Sequence, residues 1–463
     1  MRAPLLKSRR VGTLLAVLLA CSAIAFFPAT GSAAEPTHKA QISERTAAKL
    51  EPLKKLLDAN DYPNLLVLLD EILATAEPDS FDRALFSQIR GQVLLNLKRY
   101  TDAIAPLETA RRLGETYSYL DTETIRNILH LLSQLYYQEA FDTKDLGARH
   151  NYYVLAYERI QRWIQLTPRV SADIYLYAAT LLYGDATIVP DKPDPAKLRV
   201  ALTAAEQSLL ARNRPDDQTL LLYVSIHQLL GQHVESVGIL EFLVERDPAN
   251  ATYWQQIFAT YSTLASVATT PRDIRKWQLR MLSTLSRAQA RGLLTSSQDF
   301  YNNVALLFTL HQFERAALLL EQGLADGRIA STRQNWELLA SSWQQQHEDE
   351  RAIASLDKAV KANPKDGELE LSLARLHHSG GKADTAYTHA RHAVEASGVE
   401  NPGAAKFYLA CLAYELQKFA EASRWADSAA GQPGVKKDEF ERLKAAIRDA
   451  LAEEKNRAPA PSA

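Results

Sequence analysis

The sequence predicts an all-α, right-handed solenoid of about ten antiparallel helical hairpins closed by a C-terminal capping helix. Three observations predict it. Bulky apolar residues and alanines recur with a period near 34 residues. Prolines and glycines fall where each helix should stop. The last regular segment carries one apolar stripe on an otherwise charged helix, as the end of an array requires.

The chain has 463 residues, enough for a long array. Its first 34 residues are of another kind: Arg2, Lys7, Arg9 and Arg10 precede an apolar run from Val11 to Phe27, and Ser32-Ala33-Ala34 offers a cleavage site. Residues 1–34 are therefore expected to be a secretory signal peptide, outside the fold. Losing its four cations leaves 49 Lys+Arg against 55 Asp+Glu, a formal charge of −6. Such a mildly acidic, mixed surface gives no electrostatic footprint for nucleic acid. No later run of about 18 apolar residues could span a membrane. Leu18-Leu19-Ala20-Cys21 also resembles a lipoprotein box, but the chain stays apolar from Ala23 to Phe27, which favours cleavage after Ala34. In both cases the body is expected in the periplasm or an equivalent exported space, with membrane attachment only if Cys21 is lipidated. With Cys21 removed, Cys411 is the only thiol and no internal disulfide can form.

The repeat is clearest in "NWELLASSWQQQHEDERAIASLDKAVKANP", Asn335 to Pro364. Trp336, Leu339, Ala340 and Trp343, then Ala352, Leu356, Ala359 and Pro364, fall at the offsets of a tetratricopeptide repeat (TPR). Bulky residues of the first helix fill the hairpin, alanines of the second allow close approach, and proline stops it. His347, Glu348, Asp349 and Glu350 crowd the middle as a metal or acid/base site would. In this frame they are a solvated turn followed by an acidic helix start, which suits the helix dipole. The frame extends forward through Leu373, Ala374, Ala386 and Ala393, then Leu409, Ala410, Ala422, Ala426 and Ala429. Backward it runs through Phe300, Val304 and Ala316, Trp254 and Ile257, Gly231, and Gly91, Ala103, Leu107 and Ala110. A weaker unit at Tyr62, Leu65 and Leu69 opens the array, placing the solenoid at residues 43–431.

Three hairpin turns are expected to be long: Ala140 to His150, Gly184 to Lys197, and Ser266 to Asp273. The second is rich in proline and aspartate and should be an exposed loop. Phe440, Leu443, Ile447 and Leu451 stripe a capping helix at residues 436–455, and residues 456–463 read as a disordered tail.

His377, His378, His389 and His392 crowd one repeat, yet adjacent residues on a helix diverge by about 100° and no carboxylate is placed by the frame to complete a shell. No metal site, cofactor or catalytic motif is expected, and the chain is not expected to be an enzyme. The first helix of each hairpin should line a concave surface at repeat positions 2, 5, 9 and 12. These read Gln298, Tyr301, Ala305 and Phe308; Gln334, Glu337, Ser341 and Gln344; Glu368, Leu371, Arg375 and His378; and Ala404, Phe407, Cys411 and Tyr414. This amide-rich, aromatic lining suits a protein partner or extended peptide, with Tyr301, Phe308, Phe407 and Tyr414 as exposed anchors.

"LEQGLADGRI" followed by "NWELLASSW", with "NPGAAKFYLACLAYELQKFAEA" downstream, resembles the exported TPR proteins associated with the TonB system. The resemblance covers most of the chain after residue 34 and is strongest from Trp254 to Ala429. It implies a periplasmic scaffold that assists TonB-ExbB-ExbD-coupled uptake of iron chelates or other nutrients, and transfers no catalytic residues. The alternative expectation is an outer-membrane-tethered TPR lipoprotein acting in envelope protein or polysaccharide assembly.

Overall fold

The computed structural model describes residues 40–396 and 398–457. The expected signal peptide, Cys21 and residues 458–463 of the expected tail lie outside them. Every regular element among the described residues is an α-helix. No helix among them is long and apolar enough to cross a membrane.

The chain divides into two compact units, one ending at Ile239 and the other beginning at Leu240. The first contains α1 (Glu44–Ala47), α2 (Leu50–Asp58), α3 (Tyr62–Thr75), α4 (Phe81–Asn96), α5 (Tyr100–Tyr117), α6 (Thr122–Asp142), α7 (Leu146–Gln165), α8 (Ala172–Ala186), α9 (Pro195–Leu210) and α10 (Asp217–Leu229). The division falls inside α11 (His233–Arg246). The second unit continues with α12 (Ala251–Val267), α13 (Pro271–Gln289), α14 (Ser297–Thr309), α15 (Phe313–Ala325), α16 (Arg333–Gln344) and α17 (Asp349–Ala362). Then come α18 (Gly367–Ser379), α19 (Ala383–Glu395), α20 (Pro402–Glu415), α21 (Phe419–Ala429) and α22 (Lys437–Arg457). From α2 to α21 this order makes ten successive helix pairs.

Packing within each unit follows the order of the chain. In the first, α4 packs on α5, α6 on α7 and α8 on α9, while α5, α7 and α9 pack on the helices that follow them. In the second, α12 pairs with α13, α14 with α15, α16 with α17, α18 with α19 and α20 with α21, and the first helices α16 and α18 also touch. This is the pattern of stacked TPR-type hairpins.

Local chemistry sets the helix ends. Side chains of Asp61, Ser80, Asp121, Asp145, Asp216, Thr270, Ser296 and Thr332 accept from backbone N–H groups in the first turn of the following helix. The short hairpin turns share one conformation. Asn60, Lys98, Gly231, His311, His347, Gly381 and Gln417 each adopt a positive φ between 55° and 74°. The next residue then donates back five positions, as in Lys382 N to His377 O at 2.9 Å and Lys418 N to Ala413 O at 2.8 Å. These six-to-one bonds satisfy carbonyls that a helix end leaves free.

The repeat alanines are where the hairpins close. Ala103, Ala316, Ala352, Ala359, Ala386, Ala390, Ala393 and Ala422 are wholly buried. Gly91 serves the same purpose on α4, since a Cβ there would lie 2.5 Å from Leu107 Cγ. In the first unit a polar network joins three helices: Glu108 accepts from Arg159 Nε at 2.7 Å, Arg111 Nε at 2.8 Å and the Tyr136 hydroxyl at 3.0 Å.

Two of the three expected long turns are helix instead. Helices α6 and α7 run on until only Thr143 to Asp145 separate them, because the Asp145 side chain caps α7 by accepting from Ala148 N at 2.7 Å. Likewise Thr270 caps α13 with Pro271 at its first position, leaving Ala268 to Thr270 as the turn. Of the three, only the stretch from Gly184 to Lys197 contains a true loop, Thr187 to Asp194. At the C-terminal end, Ile447 is buried and Phe440, Leu443 and Leu451 pack against a cluster that includes Leu409, Ala413 and Ala422. The capping helix extends to Arg457, so Asn456 and Arg457, expected in the tail, are helical.

Candidate partner-binding face

Helices α14, α16, α18 and α20 carry the expected lining residues, and the structure sorts them. Gln298, Gln334 and Gln344 are exposed, with Gln298 Nε2 donating to Asn302 at 2.9 Å. Tyr301 is half-buried, and its ring and hydroxyl have no stacking or hydrogen-bond partner among the described residues. Arg375 is exposed and lies 3.6 Å from Glu368. Glu337 and His378 are partly buried and link neighbouring first helices. Ser372 Oγ donates to Glu337 at 3.1 Å, and His378 Nε2 lies 2.9 Å from Glu415 Oε2. Burial pushes the Glu337 carboxyl above its usual range, against the opposing pull of Ser372 and Arg333.

Other members of the lining are corrected. Leu371 is 2% exposed and belongs to a core cluster with Ala393 and Ala405, so it lines nothing. The two alanines let α18 approach its neighbours too closely for that position to face solvent. Three of the four expected aromatic anchors are half-buried rings with partners of their own. Phe308 packs edge-on against Phe313 at 5.0 Å, Tyr414 meets Phe419 at 5.6 Å, and Phe407 meets Phe440 of the capping helix at 6.5 Å. Tyr301 alone among the four keeps an unpartnered ring.

The turn tetrad His347 to Glu350 is exposed, with His347 in the left-handed position and Asp349 and Glu350 in the first turn of α17. Arg351 beyond it lies over the Trp343 ring at 3.6 Å. The crowded histidines divide into two directions. His378 turns to Glu415, whereas His389 Nδ1 lies 2.7 Å from Glu370 Oε2 and His392 Nδ1 3.9 Å from Glu370 Oε1. The repeat frame placed no carboxylate beside these histidines, and the structure corrects that: Glu370 on the preceding helix is there.

Sequence reasoning also missed two ionic clusters. Arg333 spans two repeat steps, with Nε 2.9 Å from Asp366 and its other nitrogens 3.0 Å from Glu400 and 3.1 Å from the Gly398 carbonyl. Its bond to Asp366, with Glu400 and Glu368 adding, raises the guanidinium pKa further despite burial. Together with Asn363, Pro364, Lys365, Asp366 and Gly398 it borders an open depression at the start of α18. The signal was available: Asp366 lies one repeat from Arg333 and Glu400 nearly two. In the first unit, the buried Asp185 carboxylate holds His150 Nδ1 at 2.6 Å and Lys197 Nζ at 2.9 Å. This cluster ties α7, α8 and α9 together at the base of the 187–194 loop.

No family model matches the chain, and no curated protein matches it. Solved structures do. YrrB, a TPR protein with an unusual peptide-binding site, is 16% identical over 47% of this chain and 97% of its own, with a TM-score of 0.30. A thermophilic TPR protein of Thermus thermophilus is 21% identical over 44% of this chain and 98% of its own, with a TM-score of 0.23. A tetratricopeptide repeat protein of Parabacteroides merdae is 13% identical over 68% of this chain and 99% of its own, with a TM-score of 0.25. These scores are low, and the hairpin architecture rests on this chain's own helices.

Proposed function

We propose that the chain is an exported, non-catalytic scaffold that captures extended protein segments along the first-helix face of its second unit. The observation that carries this reading is the combination on α14. Tyr301 keeps a half-buried ring without a partner beside the exposed amide of Gln298, and the same face continues in Gln334 and Gln344 on α16. A ring left open at the surface has no folding advantage, and aromatic residues flanked by amides suit a peptide's side chains and backbone groups. The links Glu337–Ser372 and His378–Glu415 hold successive first helices in register, which supports a continuous platform from α16 to α20.

Export is supported by the basic start, apolar run and small-residue site of residues 1–34. The resemblance to TonB-associated repeat proteins supports a periplasmic role beside TonB, ExbB and ExbD in energised nutrient uptake. Purified chain lacking residues 1–34 should then capture the periplasmic segment of TonB or ExbD in a pull-down. Failure with both segments would overturn the TonB assignment while leaving the repeat architecture intact.

Leu18-Leu19-Ala20-Cys21 favours a second reading, a lipid-anchored factor in envelope assembly. Labelled palmitate separates the two. Incorporation that disappears in Cys21→Ser supports the tethered form, and no incorporation supports the soluble periplasmic form.

A further inference from the structure

We propose that Glu370, His389 and His392 form a binding site for one divalent first-row transition ion, of which Zn2+ is the type. The inference is independent of the partner-binding reading, because none of Glu370, His389 and His392 is among the residues assigned to that face.

Geometry is the first support. One donor atom from each residue can be chosen so that all three lie within 4.8 Å of one another. Zinc bonds to nitrogen and oxygen are about 2.0–2.2 Å, so donors around a tetrahedral ion sit about 3.3 Å apart. Glu370 and His389 at 2.7 Å are slightly inside that spacing, and Glu370 and His392 at 3.9 Å are slightly outside it. The two distances run to different carboxylate oxygens, His389 to Oε2 and His392 to Oε1, so both imidazoles converge on the one carboxylate group. A hydrogen bond accounts for His389 on Glu370. It does not account for His392, which converges on the other carboxylate oxygen beyond hydrogen-bond range. An ion accounts for both.

Donor chemistry narrows the ion. Two imidazoles and one carboxylate favour zinc, cobalt, nickel or copper over the oxygen-seeking magnesium and calcium. His389 and His392 are three residues apart, hence neighbours on one helix face, and Glu370 reaches them from the facing helix. The side chains are graded in exposure: Glu370 13%, His389 22% and His392 47%, so the site has a partly buried floor and an open mouth for ion entry. Three protein ligands leave a fourth position for water.

The supporting shell is the second observation. Ala374, Ala386, Ala390 and Ala393 are wholly buried, so the two helices that carry the ligands are held at close approach. The His377 ring stacks on His389 at 5.3 Å with planes only 5° apart. His377 is 8% exposed, and its Nδ1 has no hydrogen-bond partner among the described residues. A buried imidazole left unsatisfied is unusual in a folded core. Here its ring fixes the plane of His389, making it a positioning residue for that ligand.

The test uses the untagged chain, freed of metal with a chelator and then titrated with zinc chloride by calorimetry. We expect one saturable equivalent and a higher melting temperature with zinc than with chelator. Cobalt(II) in place of zinc should show visible bands of nitrogen and oxygen ligation. Glu370→Gln and His392→Ala should each weaken zinc binding by about tenfold or more and remove the thermal stabilisation. His392 is exposed, so in chelator its variant should melt with the wild type, which separates loss of metal from loss of fold. Absence of a stoichiometric zinc site in the wild type, or equal zinc affinity in wild type and both variants, overturns the proposal.

Discussion

The backbone N–H of Glu348 donates to the carbonyl of Trp343 at 3.0 Å, across a turn in which His347 takes a left-handed φ of 59°. That bond closes the α16–α17 hairpin and explains why His347 sits where it does: its backbone is needed, and its exposed side chain is not.

His347→Gly follows from this geometry. A left-handed conformation costs a residue with a Cβ about 1–2 kcal/mol, while glycine costs about 0.5–1 kcal/mol in unfolded-chain entropy. The substitution should therefore stabilise the protein by about 0.5–1 kcal/mol, read as a higher thermal midpoint. A loss of stability would mean that the imidazole makes an interaction its exposure does not suggest.

Ala352 is wholly buried where α17 meets the rest of its hairpin. Ala352→Trp has no volume to enter and should cost about 1–3 kcal/mol by forcing neighbours off their rotamers. Because each hairpin is stabilised by its neighbours, hydrogen exchange should quicken in α18 as well as in α16 and α17. An unchanged melt would refute the register of the repeat.

The Glu108 network predicts a pH dependence. Burial by itself would raise this carboxyl, but the bonds from Arg159 and Arg111 outweigh burial and hold it below the usual 4.5. In acid the unfolded state then binds the proton more readily than the folded state does. The stabilisation is fully present above 4.5 and is lost as pH falls through the folded value. Glu108→Gln should cost about 1–3 kcal/mol at neutral pH, and its gap from wild type in urea melts should close in acid. A gap that does not vary with pH would show that ionised Glu108 contributes nothing.

How much of this was legible depends on the kind of signal. Trp343, Ala352, Ala359, Ala386 and Ala393 announce themselves because a hairpin core repeats with the chain, and all are buried as expected. A turn was legible where glycine stands in the repeat frame, at Gly231, but not at Lys98, His311 or Gln417, which adopt the same conformation without glycine, closed by the same six-to-one bonds. Leu371 misled because its exposure depends on how closely Ala405 lets α20 approach, a tertiary fact. Glu370 was missed for a similar reason. It lies 19 residues before His389, on the other helix of the hairpin, and only the closed hairpin brings the carboxylate to the imidazole.

Tyr301 and Phe308 differ in their surroundings, although the repeat frame treats them alike. Phe308 packs edge-on against Phe313 at 5.0 Å, and such a pair contributes about 0.5–1.5 kcal/mol beyond the area it buries. Phe308→Ala should therefore lower the melting temperature whatever it does to binding. Tyr301 has neither ring nor hydroxyl partner among the described residues, so Tyr301→Ala should leave the melt nearly unchanged. If its ring anchors a partner segment, the same substitution should weaken capture of the TonB or ExbD periplasmic segment by about 1 kcal/mol or more, as truncating an interface anchor does. Melting both variants beside the wild type and titrating each with the captured segment reads the two effects separately. Tyr301→Ala unfolding the protein, or binding as the wild type does, would remove α14 from the partner-binding face.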